Sequence, residues 1–120
     1  MRLFTLLAFS FIVSTAQAQS ISCTAQVFES FPDGSTRQER KELTVETENP
    51  VHISLSTDLD GRGFTLSGNK EYGPYFISIT EEPDYTKGSL STAEFSKDGR
   101  LQISIVDGRL VHKLECFKKN

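Results

Sequence analysis

Apolar and polar side chains alternate one by one along most of the sequence beyond residue 20, and no segment carries the three-to-four-residue spacing of an amphipathic helix. Ile21, Cys23, Ala25 and Val27 share one face of a first strand, with Ser22, Thr24 and Gln26 on the other. After a Pro32-Asp33-Gly34 turn, Leu43 and Val45 alternate with Glu42, Thr44 and Glu46. Beyond Asn49-Pro50, Val51, Ile53, Leu55 and Leu59 alternate with His52, Ser54, Ser56 and Asp58, the clearest half-buried strand of the chain. Asp60 to Gly63 turns the chain into a short strand carrying Phe64 and Leu66, and a loop from Gly68 to Pro74 follows. Tyr75, Ile77 and Ile79 then alternate with Phe76, Ser78 and Thr80. A second loop runs from Glu82 to Gly88, followed by strands near 89–96, around Leu101, Ile103 and Ile105, and from Arg109 to about Phe117.

Asp-Gly pairs stand at 33–34, 60–61, 98–99 and 107–108. A type I′ hairpin needs positive φ at both central residues, which glycine adopts freely and aspartate more readily than most residues. The last two pairs therefore predict a three-stranded meander, each with its glycine at positive φ. The pattern amounts to about eight short antiparallel strands, an all-β fold built as a small barrel or meander, with a β-sandwich as the alternative. Two cysteines refine it: Cys23 and Cys116 lie on the inward face of the first and last strands. Bonded to each other, they bring the ends of the fold together, next to or directly across from one another, as a closing barrel requires. In a sandwich the same bridge would span the two sheets.

The start of the chain reads as an export signal. Arg2 precedes an apolar run from Leu3 to Val13, and Ala16-Gln17-Ala18 has the small residues that suit signal peptidase, placing cleavage before Gln19. The run is well short of the ~20 residues of a membrane span. Lipidation of Cys23 is the competing reading. The preceding Ser20-Ile21-Ser22 lacks the leucine such a site needs, and lipidation would leave Cys116 without a partner. The expectation is a signal peptide over 1–18 and a single β-domain over 19–120, in the periplasm or outside the cell, in a signal of bacterial style. Strands of about seven residues fall short of the ~9–11 of an outer-membrane barrel, so no membrane insertion is expected.

Charge removes further classes of partner. Without Arg2 the chain has 12 Lys and Arg against 16 Asp and Glu, and its cations are scattered, so nucleic acid is not an expected partner. His52 sits on a polar strand face. His112 shares a face with Leu110, Leu114 and Cys116 and reads as a buried or half-buried histidine hydrogen-bonded to backbone. No spacing of ligands supports a metal, and no cofactor is expected. Asp58 to Gly61 lacks the further oxygen ligands of a calcium loop and reads as a turn. Glu39, Glu42, Glu46 and Glu48, and likewise Glu81, Glu82 and Asp84, read as solvated charge rather than an acid–base pair. No Gly-x-Ser-x-Gly turn or free thiol offers a nucleophile, so the chain does not read as an enzyme.

The tyrosines are the most suggestive feature. Tyr72, Tyr75 and Tyr85 are all that the sequence contains, and they fall with Phe76 in one segment that also holds Gly73, Pro74 and Pro83. Tyrosine combines contact area with a polar tip, which suits recognition surfaces. These four aromatics are the candidate contact residues for a partner protein, engaged through loops near 70–74 and 82–88, with Tyr75 also a candidate for the core because it shares a face with Ile77 and Ile79. The expected function is an exported, monomeric, non-enzymatic protein-interaction module. Signal peptide, disulfide and meander are shared with small periplasmic β-barrels that inhibit lysozymes or proteases, an analogy of architecture only. The alternative is a carrier with a small apolar ligand inside the barrel. Intact-mass analysis of the exported protein should give a chain beginning at Gln19 and lighter by the two hydrogens of one disulfide. A diacylglycerol adduct on Cys23 would contradict both expectations.

Overall fold

The two cysteines stand opposite each other on neighbouring strands of one sheet. In the computed structural model, which describes residues 21–70, 73–82 and 87–119, the strands are β1 (Ile21–Ser30), β2 (Thr36–Glu42), β3 (Thr44–Glu48), β4 (His52–Leu59), β5 (Arg62–Asn69), β6 (Tyr75–Glu81), β7 (Gly88–Ala93), β8 (Arg100–Asp107) and β9 (Leu110–Lys118). They form two antiparallel sheets, one in the order β2-β1-β9-β8 and the other β3-β4-β5-β6-β7. β1 and β2 lie over β4, and β8 and β9 over β6. The sheets do not close into a barrel; the fold is the layered alternative.

β1 and β9 pair along their whole length, with Cys23 opposite Cys116, Ala25 opposite Leu114 and Val27 opposite His112. The Cys23 carbonyl accepts from the Leu43 N–H at 3.0 Å, on the side away from β9. A strand residue directs its N–H and C=O to the same side, so Cys23 and Cys116 form a non-hydrogen-bonded pair, the kind in which side chains approach most closely. The disulfide, with Cα atoms 4.0 Å apart, therefore lies within a sheet and does not span the two sheets.

Alternation builds the core. Ile21, Cys23, Ala25, Leu114, Cys116 and Leu101 from one sheet meet Ile53, Leu55, Phe64, Leu66, Tyr75, Ile77 and Ile79 from the other. Leu43 is buried at the corner where the chain passes from β2 in the first sheet to β3 in the second. Val45, one pleat further on, is exposed, as is Val51.

Among the described residues there are nine strands where about eight are expected. The extra one is β2, whose TRQERKE sequence is charged on both faces and shows no apolar alternation because it is an edge strand. The expected meander of the last three strands holds only for β8 and β9. β7 belongs to the other sheet, and residues 94–99 carry the chain across.

All four Asp-Gly pairs are turns, of three kinds. Asp60 and Gly61 are the central residues of the β4–β5 hairpin, with φ of 54° and 72°, the type I′ arrangement. Asp107 pairs with Leu110, which moves the β8–β9 turn one residue along. Gly108 is its first central residue at φ 62°, and Arg109 is not at positive φ, as in type II′. At 33–34 and 98–99 the glycine closes a three-residue loop, with Gly34 donating to Phe31 and Gly99 to Ser96. Asp33 accepts from the N–H and hydroxyl of Ser35, which hold its carboxyl below its ordinary pKa.

The last two glycines differ in what surrounds them. A Cβ on Gly99 would run into the Lys118 carbonyl oxygen, whereas one on Gly108 meets open space. Gly108→Val should cost about 1–2 kcal/mol, the left-handed penalty alone, and Gly99→Val at least about 1 kcal/mol more, because the β8–β9 ladder must also give way. Urea denaturation of the two variants checks this, and equal losses would contradict it.

Candidate functional site

Tyr75 and Phe76 begin β6 and point to opposite sides of the sheet. Tyr75 is 3% exposed, stacks edge-on against Phe95 at 5.0 Å and directs its hydroxyl towards the Lys70 carbonyl at 3.4 Å, so it is a core residue and is withdrawn from the contact set. Phe76 is 49% exposed on the outer face. Tyr72 and Tyr85 lie outside the described residues. Loops 70–74 and 82–88 include residues outside those described; the two ends of β6 at which they attach lie about 20 Å apart at the rise of a strand.

Between them lies the β6–β7 ribbon. Its register places Ser54, Ser67, Phe76 and Thr92 in one cross-strand row, and Ser56, Thr65, Ser78 and Leu90 in the next. Thr47 and Thr44 of β3 extend the two rows. Neither row holds a charged residue. Short β-compatible hydroxyl side chains cover this face, with Thr65 and Ser78 hydrogen-bonded to each other across β5 and β6. Out of that carpet stand Phe76 and Leu90, diagonal neighbours about 7–8 Å apart on adjacent strands. Leu90, at 71%, is the most exposed large apolar side chain among the described residues.

The ends of the ribbon are tied down. Lys70 bonds Glu48 at 2.9 Å and the Asn49 carbonyl at 3.1 Å, and its N–H donates to Val51. A cis Gly73–Pro74 peptide leads into β6. At the far end the Glu82 N–H donates to Gly61, and the Glu81 N–H to Lys87.

The outer face of the other sheet is of different character. Ser104, Lys113, Gln26 and Arg40 form one row, and Gln102, Glu115, Thr24 and Glu42 another. A third row, Val106, Val111, Phe28 and Gln38, is largely apolar, and beside it lies a depression of about 230 Å³ lined in part by Gln26, Arg40 and Lys113. Ligand pockets commonly run to ~300–1,000 Å³, and this one is a dip in a charged surface.

The buried polar chemistry gathers at the β4–β5 turn. His112, 2% exposed on β9, bonds Asp60 through Nε2 at 2.9 Å, and its buried Nδ1 has no partner. The partner is thus a carboxylate and not backbone, which corrects the expectation for His112. Arg37 of β2 reaches the same carboxylate at 3.4 Å, together with Glu29 at 2.9 Å and Glu39. Burial pushes the Asp60 pKa up, but hydrogen bonds from Arg37 and His112 outweigh that push and leave it below its ordinary value. Glu29, followed by Asp60, raises the Arg37 pKa. Arg37 and His112 belong to one sheet and Asp60 to the other, so the cluster clamps the two layers together at one end.

The remaining carboxylates of the sequence clusters are dispersed. Glu48 pairs with Lys70, Glu81 with Arg62, and Glu39 with Arg37, each in a different part of the fold. His52 is exposed, and among the described residues no three His, Cys, Asp or Glu side chains converge as metal ligands.

No protein-family model, curated protein or solved structure matches this chain, so its surfaces alone carry the functional argument. The sequence singles out Phe76 as a candidate contact residue and does not single out Leu90, its exposed neighbour. The signal for Leu90 was present in the segment GSLSTA, where it shares its phase with Gly88 and Thr92 and not with the inward Ser89, Ser91 and Ala93.

The Asp60 clamp has a pH signature. Because its folded pKa lies below the unfolded value, near 3.8, the stability it provides is fully present above about pH 4–5 and is lost as pH falls through the folded pKa. Asn suits the positive φ of residue 60, so Asp60→Asn leaves the turn intact. The variant should be less stable by about 1–3 kcal/mol at pH 7, and the difference should shrink as pH drops towards 2. Urea titrations at several pH values decide it, and a difference independent of pH would contradict the clamp.

Proposed function

We propose that this chain is an exported, non-catalytic protein-interaction module that binds its partner with the outer face of the β6–β7 ribbon. The observation that carries this reading is the juxtaposition of Phe76 and Leu90. They are diagonal neighbours in two cross-strand rows that otherwise carry only serine and threonine, and the chain at either end of β6 is anchored to neighbouring turns. Apolar anchors ringed by small, uncompensated-charge-free contacts suit the desolvated centre of a protein interface. Export fits the Cys23–Cys116 bond and the signal-like first eighteen residues.

A non-catalytic role fits the one buried histidine. Its Nε2 is committed to Asp60, and no serine, threonine or cysteine of the described chain bonds its Nδ1. The carrier reading draws no comparable support, since Phe64, Leu66, Ile77, Ile79 and Leu114, which would line a lumen, pack together in one core.

The oxidised protein, immobilised and exposed to periplasmic extract and culture medium, should retain a partner identifiable by mass spectrometry. Phe76→Ala should weaken that complex by about 2 kcal/mol, the cost of losing an interface anchor, and leave the melting temperature unchanged because the side chain lies outside the core. Unaltered capture by Phe76→Ala together with Leu90→Ser would contradict the proposal.

A further inference from the structure

The four edge strands are not equally protected. β2 carries five charged residues in seven positions. β3 is broken by a register shift between Val45 and Thr47 and bears Glu46 and Glu48. β8 has Arg100 and Asp107 as its first and last residues, with the uncharged Leu101–Val106 between them. β7, Gly88–Ala93, has no charge, no proline and no register shift. Edges of soluble proteins are ordinarily blunted by such devices because an open strand edge recruits another strand. β7 is the edge that has none of them within its own length, and it carries Leu90.

The free backbone groups of β7 can be assigned. The Glu81 N–H donates to the Lys87 carbonyl, so Lys87 directs its polar groups towards β6, and by alternation Ser89, Ser91 and Ala93 do the same. Gly88, Leu90 and Thr92 direct their N–H and C=O groups away from the sheet, and none has a backbone partner among the described residues. These three positions are symmetric about Leu90. A second copy of β7, antiparallel and related by a twofold axis at Leu90, sets Leu90 against Leu90 and each Gly88 against Thr92 of the other copy. Every outward group then meets its complement, as a self-complementary twofold interface requires. The same operation brings both Leu90 side chains together on the outer face, each beside its own Phe76, and no like charges meet.

We infer that the protein forms a twofold dimer by antiparallel pairing of β7 with β7, joining the two five-stranded sheets into one and doubling the Phe76–Leu90 patch. This replaces the expected monomer. It uses the ribbon of the proposed binding surface but rests on the edge backbone, so the two readings fail separately.

Sedimentation velocity of the oxidised protein over about three decades of concentration should show a reversible monomer–dimer equilibrium. Thr92→Pro removes one outward N–H and no bond to β6, so it should leave the fold intact, as proline does on edge strands, and raise the dimer dissociation constant about tenfold or more. Should that variant fold poorly, Leu90→Lys decides the matter. It keeps the backbone and sets two like charges against each other at the twofold axis, and it should hold the protein monomeric. A wild-type protein that is monomeric throughout, or a dimer that survives Leu90→Lys, overturns the inference. A monomer that still loses its partner on Phe76→Ala would overturn this inference alone, and a β7-dependent dimer indifferent to Phe76→Ala in partner capture would overturn only the proposed function.

Discussion

Pairing of the first strand with the last is the constraint on which the rest of this structure depends. β1 and β9 are the two central strands of their sheet, and β2 and β8 attach to either side of them. The second sheet is one unbroken run from β3 to β7, held as an excursion between β2 and β8. Unless β1 and β9 meet, neither sheet has its neighbour. Their meeting closes a loop with a sequence separation of 93, and a covalent tie across a loop of that size removes about 4–5 kcal/mol of unfolded-state entropy in the chain-entropy account. The bond also fixes register. A slip of one residue would turn Ala25, Val27 and Leu114 from the core to solvent, and the Cys23–Cys116 pair permits no slip.

The Asp60 cluster does at one end of the sandwich what the core cannot do there. Inward positions near that end are polar: His112, Arg37 and Glu29 from one sheet face the β4–β5 turn of the other. A single carboxylate on a turn that demands positive φ receives donors from two strands of the opposite layer. Packing that would otherwise be apolar is replaced by a charge-assisted network, whose strength comes from partial exclusion of water.

Strands with one buried face were legible in the sequence because burial imposes alternation, as in Ile53 and Leu55 or in Ile77 and Ile79. β2 was not legible, since all its positions but Arg37 are exposed and no buried apolar face marks it. Sheet membership was equally hidden. Leu43 and the stretch 94–99 carry the chain between layers, and alternation reads the same on either side of such a crossing. Positive φ at glycine was foreseeable at 99 and 108, but the one-residue offset of the 108–109 turn was set by the β8–β9 register. The bond from His112 to Asp60 spans 52 residues and depends on how the layers stack, which no local pattern encodes. Of the candidate contact residues, Phe76 stands where the aromatic cluster led, and Tyr75 went to the core by the same alternation that places Phe76 outside.

The two long sides of the sandwich thus differ in kind. One is guarded by the charges of β2 and the irregularity of β3. The other ends in β8, charged only at Arg100 and Asp107, and in the uncharged edge of β7, beside the most exposed large apolar side chain among the described residues. That asymmetry is the central claim, and residue-resolved amide exchange tests it most directly. In dilute protein the Gly88, Leu90 and Thr92 amides should exchange freely while those of Ser89 and Ser91 are protected by β6, and at high concentration all five should be protected. Protection of the Leu90 and Thr92 amides in the dilute monomer would show that the β7 edge is already covered within one chain, and would contradict the account.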